Sequence, residues 1–267
     1  MTVSVIGSHN TTATGTVTLF DGATALATLP LGGDGRAYWY ISPGLAVGTH
    51  PIYAVYSGDA NNGMGGSAPV LVNVMAISVN LSTSCWNNSF AYGQDYSCTV
   101  TVSSNAGPAS GVATFIFDST PPVTVALNNG NAQFTVPKPA VGNHILSIQY
   151  TAQGNFASST ISKQNLTVVP APVVENLTAS SYWAHQGTSI ALSAALSSWS
   201  AGTPNQQGTV SFYDNGVLLG KVQVGSNGIA SLATNNLALG SHSIQASYSG
   251  TAQYATATNS LSLSIAQ

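Results

Sequence analysis

The chain has 267 residues, of which 44 % are hydrophobic and only 4 % charged, with a net charge of −3. Its four basic residues, Arg36, Lys138, Lys163 and Lys221, are spread over the whole length, so the Lys and Arg clusters that neutralise nucleic-acid or anionic-lipid phosphates are missing. No apolar run reaches the roughly 18–20 residues of a membrane helix, and the start MTVSVIGSHN has neither the basic segment nor the apolar core of a signal peptide.

Strand signals run the length of the chain, and no sustained 3.6-residue apolar period marks a helix. Residues 1–75 contain GTVTLFDG from Gly15, a turn at Asp34-Gly35, a strand through Tyr38, Trp39 and Tyr40 with Trp39 facing opposite to its neighbours, then LAVGTH and AVYSGDA. Residues 76–170 predict strands at Ala76–Leu81, Tyr96–Val102, Ala113–Phe117, Val123–Leu127, Ala132–Val136, His144–Tyr150 and Ile161–Val168. Seven short antiparallel strands in roughly 95 residues predict a two-sheet sandwich. Residues 171–267 contain GTVSFYDN from Gly208, LALGSH and ASYSGTA.

These segments are versions of one pattern, with GVATFIFD, PAVGNH and IQYTAQG as the middle copy. The aligned His50, His144 and His242 lie 94 and 98 residues apart, and Asp21, Asp118 and Asp214 lie 97 and 96 apart. Such a period exceeds the roughly 20–50 residues of a solenoid unit and fits small tandem domains. The predicted fold class is therefore all-β, with three tandem seven-stranded sandwiches at 1–75, 76–170 and 171–267. The first is short: 14 residues precede Gly15, which leaves it without about one N-terminal strand. Two alternatives follow: a chain that begins inside a domain, or an open groove filled by a strand from another copy. The junction at Asn73–Ser78 runs on without Gly or Pro and reads as a stiff joint, while Pro170-Ala171-Pro172 reads as a semi-rigid spacer. An elongated rod is expected.

Asp34-Gly35, Asn129-Gly130 and Asn227-Gly228 occupy equivalent places and favour type I′ hairpins. Pro121-Pro122 makes one edge of the second unit irregular. Cys85 and Cys98 flank WNNSFAYGQDYS, and two strands joined by that turn would bring the thiols together. A disulfide is the reading, in an oxidising compartment, with two buried free thiols as the alternative.

The pattern carried by GTVTLFDG, GDGRA and LAVGTHPIYAVYSGDANN, by GTVSFYDNGVLLG, NGIASL and LALGSHSIQASYSGTAQY, and by AYGQDYSCTVTV resembles the bacterial immunoglobulin-like repeat domain. The resemblance implies tandem immunoglobulin-like sandwiches acting as spacers, stalks or adhesive surfaces outside the cell, with no shared catalytic constellation and no cofactor.

His50, His144 and His242 each begin a strand leading to Tyr56, Tyr150 or Tyr248, and read as structural corner residues. Asp21, Asp118 and Asp214 read as turn caps. SGDANNG around Asp59 faintly suggests calcium, but a plain turn is the stronger reading. No catalytic or metal-ligating set emerges. Trp39, Trp86, Trp183 and Trp199 are the possible ligand aromatics, with core filling as the alternative. Ion pairs are expected to be nearly irrelevant to stability. The expected function is a non-catalytic extracellular rod whose partners are neighbouring domains of a surface protein or other copies of itself. The alternatives are a fibre subunit completed by strand exchange and a polysaccharide-binding array.

Overall fold

The computed structural model describes residues 1–7, 11–40 and 44–267. Every regular element among them is a strand. The chain forms two compact units: Met1–Asn80 with Ser103–Gly111 and Thr151–Ser159, and Leu81–Val102 with Val112–Tyr150 and Thr160–Gln267.

The first sandwich contains β1 (Thr2–Ser4), β2 (Thr16–Asp21), β3 (Thr24–Pro30), β4 (Arg36–Tyr38), β5 (Gly48–Tyr56), β6 (Gly65–Gly66) and β7 (Val70–Val74). One sheet pairs β1 with β4; the other runs β3-β2-β5, with β6 and β7 both along β5. The second sandwich contains β8 (Asn80–Cys85), β9 (Ser89–Ala91), β10 (Tyr96–Ser104), β11 (Gly107–Pro108), β12 (Gly111–Phe117), β13 (Val123–Ala126), β14 (Asn131–Val136), β15 (Gly142–Ala152) and β16 (Ser159–Val169). Its sheets are β11-β10-β14 with β8 on β10, and β13-β12-β15-β16-β9. The third contains β17 (Val174–Ala179), β18 (Trp183–His185), β19 (Ile190–Ser197), β20 (Thr209–Asp214), β21 (Val217–Gln223), β22 (Ile229–Thr234), β23 (Gly240–Tyr248) and β24 (Ala257–Ala266), in sheets β17-β19-β22 and β18-β24-β23-β20-β21.

Two-residue alternation builds each core. Along β10, Tyr96, Cys98, Val100 and Val102 face inward while the intervening residues face out. In the third sandwich Leu192, Ala194 and Leu196 of β19 meet Val210 and Phe212 of β20 and Ile244, Ala246 and Tyr248 of β23. Burying one such aromatic or aliphatic side chain stabilises the fold by about 1.5–3 kcal/mol.

The first sandwich lacks the edge that the third completes. There, β17 lies along β19, and β18 runs parallel to β24. In the first sandwich β1 and β7 take the places of β19 and β24, and among the described residues no strand pairs with their outer edges. Its main buried cluster among the described residues comprises Ala13, Val17, Leu19, Ala54 and Tyr56. A cavity of about 420 Å³ opens between its sheets, lined by Val3, Val5, Val17, Ala54 and Tyr56 among others.

Four sequence expectations need correction. The first strand of the second sandwich is Asn80–Cys85 rather than Ala76–Leu81, because Ile77 is bonded instead to the 153–158 loop. The Ile77 amide donates to the Asn155 carbonyl, and the Ile77 carbonyl accepts from the Ala157 amide. The segment between the cysteines is no simple turn either: Ser89–Ala91 crosses to the other sheet and runs parallel to β16. Cys85 and Cys98 are nevertheless joined by a disulfide between neighbouring strands β8 and β10, and closing a loop of 13 residues' separation contributes about 3 kcal/mol. Of the three equivalent hairpins, only Asn129-Gly130 has positive φ at both residues (47° and 76°), as type I′ requires. At Asp34-Gly35 and Asn227-Gly228 only the glycine does (72° and 74°), and the Gly35 and Gly228 amides donate to the Gly32 and Gly225 carbonyls in three-residue loops. Finally, Ala171 of the expected Pro170-Ala171-Pro172 spacer is fully buried in the third core, bridged to Tyr254. It is part of the sandwich rather than a free linker.

Candidate functional site

One polar constellation recurs in all three sandwiches. On β2, Asp21 stands opposite Ile52 of β5, so His50, two residues earlier on β5, projects from the same face and reaches it diagonally. Asp214 stands opposite Ile244 in the same way, with His242 two residues earlier on β23. Asp118 follows β12 with φ 51° and meets His144 of β15. The Nδ1–Oδ2 distances are 2.6, 2.7 and 2.8 Å for His50–Asp21, His144–Asp118 and His242–Asp214. In each case Nε2 lies 2.8 Å from a backbone carbonyl four residues earlier: Ala46, Ala140 or Ala238.

Stoichiometry decides the chemistry of this bridge. A carbonyl is only an acceptor and a carboxylate is an acceptor when ionised, whereas a neutral imidazole supplies a single N–H. Satisfying both contacts needs both ring protons, so the geometry selects an imidazolium between a carboxylate and a carbonyl. The His50 pKa is raised, first by its bond to Asp21 and then by the Ala46 carbonyl. Burial works to lower that of His144, but Asp118 and the Ala140 carbonyl outweigh it and the net direction is upward. Burial would raise the Asp118 pKa, yet the bonds from His144 and the Ile145 amide hold it below the usual carboxylate value.

Read separately, the histidines were expected as corners and the aspartates as turn caps; the structure makes them one bridge, tying the end of one central strand to the turn before its neighbour. Three His–Asp contacts, each an ion pair when its ring is protonated, therefore stand beside the expectation that ion pairs contribute little to stability. The corner bond comes from tyrosine: the Tyr56 hydroxyl donates to the Thr14 carbonyl and the Tyr248 hydroxyl to that of Gln207. The alanine carbonyl was the missed partner, although its signal is present, since Ala recurs four residues before His in LAVGTH, PAVGNH and LALGSH.

Three further carboxylates, Asp34, Asp59 and Asp95, hold backbone as well. Asp59 accepts from the Thr14, Asn61 and Asn62 amides and from the Thr14 hydroxyl. The Thr14 amide, followed by that of Asn61, keeps it well below the normal carboxylate range. Thr251 occupies the same place in the third copy and caps its turn through the Gln253 and Tyr254 amides, so the position works as a turn cap without a carboxylate. Asp34 accepts from the Arg36 amide, Asn227 from that of Ile229, and Asp95 from that of Lys138. Among the described residues no group of three or more His, Cys, Asp or Glu is placed to hold a metal ion.

Of the four tryptophans Trp86, Trp183 and Trp199 are exposed and Trp39 is partly buried. Trp39 packs against the first core, just past the end of β4 at Tyr38. Trp86 stacks on Phe90, and Trp183 meets the edge of His185. Trp199 is 70 % exposed.

Since His50 and His144 bind their protons more tightly in the folded than in the unfolded chain, the stability these two residues contribute is fully present below pH ~6.5 and is lost as pH rises through their folded values. His144→Ala is expected to destabilise the second sandwich by about 1–2 kcal/mol at pH 6. The deficit relative to the parent protein should shrink at alkaline pH in denaturant melts; a deficit independent of pH would contradict the charged bridge.

The description of the bacterial Ig-like domain (group 3) matches residues 1–75, 83–169 and 177–266. Among curated proteins none matches this chain. Among solved structures the chain is similar to fibronectin(III)-like modules of CbhA from Clostridium thermocellum, at 16 % identity over 70 % of this chain and 93 % of that one, with a TM-score of 0.31. It is also similar to the Escherichia coli adhesin FdeC, at 16 % identity over 99 % and 88 %, with a TM-score of 0.33. A third likeness is to a Ca2+-stabilized adhesin with which an Antarctic bacterium binds ice, at 15 % identity over 99 % and 68 %, with a TM-score of 0.31. None of these likenesses carries an argument about activity. The match over three consecutive segments does carry one about family: the chain belongs to the bacterial immunoglobulin-like domains of group 3, in tandem.

Proposed function

We propose that the chain is a non-catalytic segment of an extracellular or cell-surface protein, its tandem sandwiches serving as a spacer, stalk or adhesive surface. The observation that carries this reading is the employment of the acidic residues. Six of the seven carboxylates hold a histidine or a backbone amide, and no two are arranged as an acid–base pair. Strand order supports a tension-bearing role. In the second and third sandwiches β9 and β18 run parallel to β16 and β24, so each chain segment enters at one end and leaves at the other. Pulling on both ends then shears several hydrogen bonds together instead of unzipping them singly.

Single-molecule stretching of the full chain is expected to show separate unfolding events. One of them should lengthen by about 4–5 nm on adding reductant, because the Cys85–Cys98 loop is released. A single event for the whole chain, or no measurable resistance, would contradict the reading. The unpaired outer edge of β1 and the cavity beside it favour a second reading, in which a strand from another copy completes the first sandwich. That version requires self-association that grows with concentration, and a strictly monomeric species in sedimentation rules it out.

A further inference from the structure

The remaining carboxylate is Glu175, and its setting differs from the other six. It lies on β17, an edge strand that pairs on one side only, with β19. Its side chain points between the sheets, opposite Leu196, and is 5 % exposed. Neither carboxylate oxygen has a hydrogen-bond partner. The strand is tied to β24 by the Asn259 side-chain amide, which donates to the Glu175 backbone carbonyl and leaves the carboxylate itself unserved.

Apart from the Tyr248 backbone amide, whose lowering of the pKa is outweighed by burial, the surroundings offer an ionised carboxylate no donor or countercharge. Facing it, β19 presents Leu192, Ala194 and Leu196, β24 presents Asn259, and β23 presents Tyr248, whose hydroxyl is committed to the Gln207 carbonyl. Tyr254, in the loop after β23, gives its hydroxyl to the Ala201 carbonyl. The His242–Asp214 pair sits towards the opposite end of β23, where Asp214 stands beside Ile244. An isolated charge at such a place costs several kcal/mol, so the group is held neutral or leaves the interior.

We propose that Glu175 makes β17 a pH-responsive edge: protonated, it stays between the sheets and the strand remains docked; ionised, it draws the strand out and opens that side of the third sandwich. Burial raises its pKa from 4.5 to about 7, against a small lowering by the Tyr248 backbone amide. The sign follows from linkage. The folded state keeps a proton that the unfolded chain has already lost, so docking is strongest below pH 4.5 and weakens as pH rises through about 7. Opening uncovers Leu177 and the free edge of β19, an unpaired edge of the kind that recruits other strands.

The test is amide hydrogen exchange of the full chain, followed by mass spectrometry and corrected for the intrinsic effect of pH. In the parent protein the opening constant of the Val174–Ala179 amides should rise by up to about tenfold per pH unit between pH 5 and 7, while Val210 and Phe212 in β20 stay protected. Glu175→Gln, which keeps shape and removes the charge, should flatten that rise. Glu175→Leu provides the second readout and should hold β17 closed at every pH. PH-independent exchange of β17 in the parent, or an unchanged rise in either variant, overturns the proposal.

Discussion

The sandwiches depend on an imidazolium held between a carboxylate and a carbonyl. In a chain with four Lys and Arg residues, charge is scarce, and the three ion pairs found among the described residues all use histidine. The bridge acts at the end of the sandwich where a central strand stops and the chain returns through a turn. Asp fixes the strand end, the alanine carbonyl fixes the turn, and the ring joins them across the sheet. The side-chain exposures of 13, 11 and 5 % for His50, His144 and His242 remove much of the solvent that would screen the pair. In the third copy Asp214 also buries its second oxygen without a partner, which makes loss of the histidine more costly there.

What varies between the copies lies at the opposite edge. The second sandwich pins its first strand, β8, to β10 with the disulfide. The third docks β17 over a buried glutamate, and the first shows no strand there among the described residues. The central strands thus repeat while the first edge strand differs in kind each time. An edge strand has one hydrogen-bonding neighbour and covers the core from one side, so its attachment can change without disturbing the register within. In an array of otherwise similar domains, this edge is where the copies can take on different mechanical or associative behaviour.

The fold was legible in the sequence because it rests on local rules: period-two burial, turn residues and a repeat near 95 residues. Errors arose where a long-range partner overrides the local signal. Ile77 looks like strand residue but bonds the distant 155–157 loop, and Ser89–Ala91 looks like turn but completes the far sheet. The hairpins at Asp34-Gly35 and Asn227-Gly228 add one residue, which moves the left-handed position onto the glycine alone. At the site, the recurrent His and Asp were visible as separate columns, but their contact depends on the diagonal register of two strands nearly 30 residues apart, His50 with Asp21 and His242 with Asp214. Glu175 gave no signal, since a lone Glu in a polar strand reads as a solvated residue and only the packed structure shows it inside.

The most direct test of the bridge is nitrogen-15 NMR of the imidazole rings in the intact chain at pH 7, where a free imidazole is mostly neutral. The account predicts that His50 and His144 show protonated shifts at both ring nitrogens, with Nδ1–H coupled to the aspartate. A neutral ring in either residue, with one nitrogen unprotonated, would contradict it.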